Sequence, residues 1–321
     1  MRAVQVVTTS GPDGVELRDV LEPVPKPHEV LVRVRCVGVS FPDLLLSQGL
    51  YQLRPEPPFT LGVDLAGEVV SGPDPFVPGQ RVAGVVPYGG AGELAAVPAA
   101  STFAIPDVLD YAAAAAFPMN YLTAQFALRE RAGLQAGELV LVHGAAGGVG
   151  TATLQVARGY GATTFAVVST KEKGRVATEA GADHVVLLDD FKDRVLEITG
   201  GRGVDVVVDV VGGEAFTDSL RVLAPQGRLL VVGFAAGAGI PEVKVNRLLL
   251  NNIDVRGVGW GAYAMARPDY MQQQWAELVP MIESGVVRPL IGTTYRIADF
   301  PQALRDLAAR RAMGKLVVEV E

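Results

Sequence analysis

The sequence predicts an α/β fold in which a doubly wound parallel sheet is inserted between two parts of a β-rich domain. Three observations predict it. Between residues 139 and 258, short apolar runs alternate with helix-length segments, the pattern of strands that return through helices into a parallel sheet. Residues 1–118 instead carry short strand-like runs broken by Pro-Lys-Pro, Pro-Glu-Pro-Pro and Gly-Pro-Asp-Pro, which marks a turn-rich β domain. After about residue 262 the pattern is helix, strand, helix, strand, and the simplest assembly completes the β domain from both parts of the chain. The expected divisions are 1–120, 121–262 and 263–321.

The elements follow in order. Val30–Val34, Gly67–Val70, Arg81–Val86 and Leu94–Val97 read as the first strands. Ala112–Phe117 and Tyr121–Arg129 read as helix, with a bend at Pro118, since proline lacks the N–H that a helix interior needs. Leu139–Val142 is a continuously apolar run, as befits a strand buried on both faces. Thr164–Val168, His184–Leu188, Val204–Val208, Arg228–Val232 and Ile253–Val258 continue the sheet. The last part gives an amphipathic helix at Met271–Ser284, a strand at Thr293–Ile297, a helix at Pro301–Arg311 and a strand at Lys315–Val320.

The turn after the first parallel strand carries the chemistry. It reads His143-Gly144-Ala145-Ala146-Gly147-Gly148-Val149-Gly150, a Gly-x-x-Gly-Gly-x-Gly spacing. Val149, Ala152, Thr153, Val156, Ala157 and Tyr160 then repeat at helical spacing, so the turn sits at a helix N-terminus. Glycines let the backbone approach a ligand, and the helix end offers N–H groups and partial positive charge to a pyrophosphate. Strand, turn and helix in this order indicate a dinucleotide. In an NAD-binding unit the end of the second strand usually carries an acid for the ribose hydroxyls. Here it reads Ser169-Thr170-Lys171-Glu172-Lys173-Gly174-Arg175. Hydroxyls and cations suit a 2′-phosphate, which points to NADPH. Two later strands end in Asp209-Val210-Val211-Gly212-Gly213 and Gly233-Phe234-Ala235-Ala236-Gly237, candidates to line the nicotinamide pocket.

Composition narrows the function. With 49% hydrophobic and 20% charged residues the 321-residue chain is compact, and its net charge of −7 argues against nucleic acid as the main partner. No apolar run is long enough to span a bilayer, and the first residues lack the apolar core of a secretory signal. One cysteine excludes an internal disulfide and suits a reducing cytoplasm. A catalytic zinc wants three Cys, His or carboxylate ligands. Val63 cannot bind a metal, Cys36 lies in a strand-like run, and His28, His143 and His184 each lack a second ligand at metal spacing, so no metal site is expected.

The order of motifs resembles the zinc-free quinone oxidoreductase branch of the medium-chain dehydrogenase/reductase superfamily, nearly end to end. The motifs are Gly38-Val39-Ser40-Phe41-Pro42-Asp43, Gln48-Gly49-Leu50-Tyr51, Leu61-Gly62-Val63-Asp64-Leu65-Ala66-Gly67, Asn120-Tyr121-Leu122-Thr123-Ala124, the glycine turn, Ala180-Gly181-Ala182-Asp183-His184-Val185 and Gly314-Lys315. The resemblance implies a GroES-like β domain with an inserted Rossmann domain, NADPH as hydride donor, and reduction of quinones or enones. It also implies a homodimer joined along the sheet edge at 253–258. Zinc enzymes of the superfamily carry Cys near Ser40–Pro42 and His-Glu where Val63 and Asp64 stand.

By the same resemblance, Gly147, Gly148 and Val149 hold the pyrophosphate. Ser40 and Thr123 lie near the cofactor, Gly233 and Phe234 near its carboxamide, and Ser169, Thr170 and Lys173 near the 2′-phosphate. Lys315 belongs to a Gly-Lys segment that closes over the cofactor. Tyr51 is the candidate proton donor, Asp43 a second polar group of that segment, and Trp260 and Tyr263 with Tyr51 the aromatic walls for a flat acceptor. Ser40 stands where bacterial quinone reductases usually have Asn, and Leu45 and Leu188 replace tyrosines of some relatives. Two other functions share these features: an enoyl-thioester reductase, for which Arg54, Arg247 and Arg267 supply charge, and a low-turnover cofactor- or RNA-binding protein of the zeta-crystallin kind.

Overall fold

The computed structural model describes residues 1–267 and 269–320, arranged as two compact units. The first is Met1–Asn120, Pro268–Glu283 and Pro289–Glu321; the second is Tyr121–Arg267 and Ser284–Arg288.

In the first unit a hairpin of β1 (Arg2–Val6) and β2 (Val15–Asp19) precedes the long strand β3 (Glu29–Val39). Helix α1 (Phe41–Ser47) follows at once, with Ser40 as its N-cap and Asp43 closing a capping box. Next come β4 (Phe59–Thr60), β5 (Asp64–Ser71), β6 (Arg81–Val85), β7 (Leu94–Pro98), β8 (Thr102–Ala104) and α2 (Tyr111–Ala115). Asp110 caps α2 by accepting from the Ala113 N–H at 2.8 Å.

The next segment differs from the two helices expected around Pro118. A π-helical turn runs over Pro118–Leu122, α3 spans only Thr123–Phe126, and a second π-helical stretch covers Ala127–Ala132. Pro118 stands first in its turn, where no N–H is needed. Gly133 ends the stretch in the left-handed conformation at φ 63°, the usual stop for a helix.

The second unit alternates as the apolar runs predict: β9 (Leu139–His143), α4 (Gly148–Gly159), β10 (Thr163–Val168), α5 (Lys171–Glu179), β11 (His184–Leu187), α6 (Phe191–Ile198), β12 (Val204–Asp209), α7 (Glu214–Ser219), β13 (Leu223–Val231), α8 (Asn246–Asn251), β14 (Asp254–Gly257) and α9 (Trp260–Met265). Every pairing is parallel, in the order β11-β10-β9-β12-β13-β14. That is the doubly wound Rossmann order, whose reversal point lies between the first and fourth strands. Valines and leucines of β9, β10, β12 and β13 fill the core with Phe165, Phe191 and Phe216 from the strands and flanking helices.

The first unit then finishes with α10 (Tyr270–Glu283), β15 (Ile291–Arg296), α11 (Phe300–Ala308) and β16 (Lys315–Glu319). Trp275 of α10 stacks on Phe103 at 4.8 Å and meets Phe117 edge-on at 5.1 Å. Among the described residues the strands of this unit form a three-stranded sheet, β2-β1-β4, and a seven-stranded sheet, β15-β16-β3-β5-β6-β8 with β7 also paired to β3. Strand β16 thus lies inside the sheet, parallel to β15 and antiparallel to β3. Among the described residues no helix is long and apolar enough to cross a membrane.

Candidate functional site

The glycine turn between β9 and α4 is built to admit a ligand. Gly144 has φ 61°, and a Cβ there would stand 2.7 Å from a Val210 methyl, so only glycine fits. A Cβ on Gly150 would lie 2.2 Å from the Gly144 carbonyl oxygen, so glycine is what seats α4 on the turn. Gly147 is different. It is the N-cap, with extended backbone, and a Cβ would meet only the Gly144 oxygen at 3.4 Å. The space above it is open, and Gly147, Gly148 and Val149 are half-buried. The first N–H groups of a helix have no partner within it. An open cradle of such groups at the positive end of α4 fits a pyrophosphate.

The end of β10 lies in the next loop of the same sheet. Ser169 and Thr170 are exposed, and Lys173 is half-buried in the first turn of α5. Thr170 caps that helix, its hydroxyl accepting from the Lys173 N–H at 3.2 Å. The acid nearest this end, Glu172, is exposed in the first turn, where the helix dipole favours a carboxylate.

The ends of β12 and β13 are tied together. Ala235 and Ala236 donate backbone bonds to the Val210 and Val211 carbonyls at 3.0 and 2.9 Å. Asp209, buried, accepts from the Val211 and Gly212 N–H groups at 2.7 and 2.9 Å. Gly212, at φ 70°, makes room for the Phe234 ring. Gly233 and Phe234 therefore sit half-buried on a braced pair of loops beyond the strand ends. Asp209 was legible as the acid closing the valine run 206–208. Thr123 is buried at the start of α3.

His143 is framework. Its Nε2 lies 2.7 Å from the Ser219 hydroxyl, which itself donates to the Ala215 carbonyl at 2.7 Å. A hydroxyl has one proton, so His143 must donate from Nε2. Its Nδ1 is a buried acceptor with no partner among the described residues. Burial holds the imidazole neutral, its pKa pushed down to about 4, with nearby Asp209 pulling weakly upward.

The aromatic walls are less available than the sequence suggests. Trp260 is only 4% exposed, so it packs as core. Tyr263 is half-buried, with Phe126 at 5.0 Å and the Arg267 guanidinium 3.7 Å over its ring. That cation already covers one face. Tyr51 in the first unit is half-buried against the β core, and burial, with Asp43 nearby, raises its phenol pKa.

The first unit also gathers a buried charge cluster. Asp43 accepts from the Ser40 and Gly62 N–H groups, each at 2.9 Å. Both its oxygens are committed, so it fixes the Ser40–Ser47 and Gly62 turns and is not placed to act on a substrate. Burial nonetheless raises its pKa to about 7, against the pull of those N–H groups and of Lys315. Lys315, expected over the cofactor, instead points into the core. Its ammonium lies 2.7 Å from Asp64 Oδ2 and 2.5 Å from the Ser40 hydroxyl. Ser40 Oγ in turn donates to Asp64 at 2.9 Å. Ser40 is thus buried with its proton already used, which leaves no free donor for a cofactor. The sequence signal for Asp64 was an acid inside the apolar run 61–66.

Known proteins carry the same two-part pattern. Residues 26–107 match the family model described as alcohol dehydrogenase GroES-like domain, and 148–284 match that described as zinc-binding dehydrogenase. A quinone oxidoreductase of Pseudomonas aeruginosa is 36% identical over 326 aligned residues, covering 99% of this chain and 99% of that protein. This chain belongs to the zinc-independent quinone oxidoreductase branch of the medium-chain dehydrogenase/reductase superfamily. A solved probable oxidoreductase of Mycobacterium abscessus, 42% identical, covers 99% of the chain and 98% of its own with a TM-score of 0.91. The quinone oxidoreductase of Thermus thermophilus, solved also as an NADPH complex, is 35% identical over 99% and 100%, with a TM-score of 0.86. The chain is accordingly an oxidoreductase with a GroES-like domain and a nicotinamide-binding Rossmann domain. Among the described residues no group of three or more His, Cys, Asp or Glu is placed to hold a metal ion.

Proposed function

We propose that the chain is an NADPH-dependent reductase of quinones and conjugated enones. One observation carries the choice of cofactor. The loop after β10, the strand paired with β9, offers two exposed hydroxyls, Ser169 and Thr170, and the half-buried Lys173. A 2′-phosphate takes charge-assisted bonds from such groups, whereas a carboxylate at the strand end would repel it. Bound NADPH supplies a hydride. Gly147, Gly148 and Val149 would hold its pyrophosphate, and the braced loops with Gly233 and Phe234 its carboxamide end. A conjugated acceptor spreads the charge it receives, so the protein's part is to orient the reactants and exclude water. Tyr51 is proposed as the group that returns a proton; its raised pKa keeps the phenol protonated at neutral pH.

The acceptor reading is supported by the names of the relatives above. The chain is also proposed to form a homodimer along β14, one of the two edge strands of the parallel sheet. Nearby Ile240, Val245, Leu249 and Leu250 are 72–75% exposed, an apolar surface of the kind that partners cover.

Loss of NADPH absorbance with a simple para-quinone, with NADH as the paired control, tests the proposal. Fast oxidation of NADPH alone is expected. No oxidation of either nucleotide, despite tight NADPH binding, overturns the quinone reading, and turnover of crotonyl-type thioesters in its place would make the chain an enoyl-thioester reductase.

A further inference from the structure

Lysine is almost never fully buried unless paired. Lys315 is 4% exposed and its partner Asp64 is not exposed at all. The fold makes a path for this side chain: a Cβ at Gly38 would stand 2.8 Å from Lys315 Cε and 2.2 Å from the Ala115 carbonyl oxygen. Lys315, Ser40 and Asp64 then close a ring of three hydrogen bonds. Such a pair adds little stability over well-packed apolar residues, because both charges lose their water. Stability therefore does not account for it.

What the pair does reach is the main chain. The other oxygen of Asp64, Oδ1, accepts from the Met119 N–H at 2.8 Å, in the first turn of the π-helical segment Pro118–Leu122. The residue after that segment is Thr123, the first of α3. One buried ammonium thus fixes the carboxylate that fixes the turn leading to Thr123. We infer that Lys315 is a positioning residue that sets the Met119–Thr123 turn for the nicotinamide end of the cofactor. This rests on the proposed function and on the resemblance, which places Thr123 near the cofactor.

Two ligands and three variants test it. NADPH carries the nicotinamide; adenosine 2′,5′-bisphosphate lacks it. Calorimetric titration of Lys315→Met should show NADPH binding weakened about tenfold, the size of one lost positioned hydrogen bond, with the bisphosphate bound as in the parent. Asp64→Leu should do the same. The double variant Lys315→Met/Asp64→Leu removes both charges, so its resistance to urea should return toward the parent while its NADPH affinity stays weak. If the double variant regains NADPH affinity with its stability, or if both ligands weaken together, the pair is structural and the inference fails. Should Lys315→Met alone not fold, the double variant carries the comparison. A parent chain that binds NADH in preference to NADPH overturns the cofactor proposal but not this one, which is then read with NADH and adenosine diphosphate.

Discussion

Asp43→Asn should change the pH dependence of stability in one direction only. Asp43 is fully buried, and its pKa lies near 7 against 3.8 for the free side chain. The folded state therefore binds a proton that the unfolded state does not between those values. A raised carboxyl pKa gives stability that is complete below about pH 4 and is lost as pH rises through 7. Between pH 8 and pH 5 the linkage integral with these two pKa values is roughly 2.6 kcal/mol. Asparagine has nearly the same shape and does not titrate. It also turns one acceptor into a donor facing the Ser40 or Gly62 N–H, a pH-independent loss of about 1–3 kcal/mol. Urea unfolding of parent and variant at pH 5, 6, 7 and 8 isolates the titration, because every other group cancels in the difference. The gap in favour of the parent should widen by roughly 2–3 kcal/mol from pH 8 to pH 5. Parallel curves, or a gap that narrows toward acid, would refute the reasoning: the two N–H donors would then outweigh burial and Asp43 would be ionised throughout.

His143 works the opposite way. Its pKa is depressed to about 4, so stability present above pH 6.5 drains away as pH falls, by roughly 2 kcal/mol at pH 5; His143→Leu should flatten that acid limb in the same unfolding series. Gly147→Ala should fold normally but bind NADPH at least about tenfold more weakly, since the methyl fills the cradle, whereas Gly150→Ala should lower the melting temperature because its Cβ meets the Gly144 oxygen at 2.2 Å. Lys173→Ala should raise the KM for NADPH by about 10- to 100-fold and leave NADH unaffected, as expected for one charge-assisted bond; equal effects on both nucleotides would remove Lys173 from the 2′-phosphate site. Leu249→Asp should shift the mass seen by light scattering from dimer to monomer, and an unchanged dimer would place the interface elsewhere.

The parallel sheet was legible because strands covered on both faces read as unbroken apolar runs, and glycines mark their exits. The hairpin β1–β2 was not, since Glu16, Arg18 and Asp19 make most of Val15–Asp19 charged and eight residues separate the two strands. The π-helical segments have no residue signature: Pro118 announces a bend, but an i→i+5 pattern is set by packing. The glycine turn and the loop after β10 were readable from local order alone. The burial of Lys315 against Asp64 was not. Its partner lies 251 residues away, and a lysine heading a strand looks like one that reaches water.

The place of β16 has a consequence for biosynthesis. Ser40 and Lys315 are 275 residues apart, yet β16 must slot beside β3 in the interior of a sheet. A ribosome delivers every strand of the Rossmann unit long before it delivers this one. Meanwhile the Cys36–Val39 edge of β3 stands open, a template for mispairing, and Asp64 waits without its counter-charge. The GroES-like unit is thus the last to close on the nascent chain, and it is there that chaperones should bind.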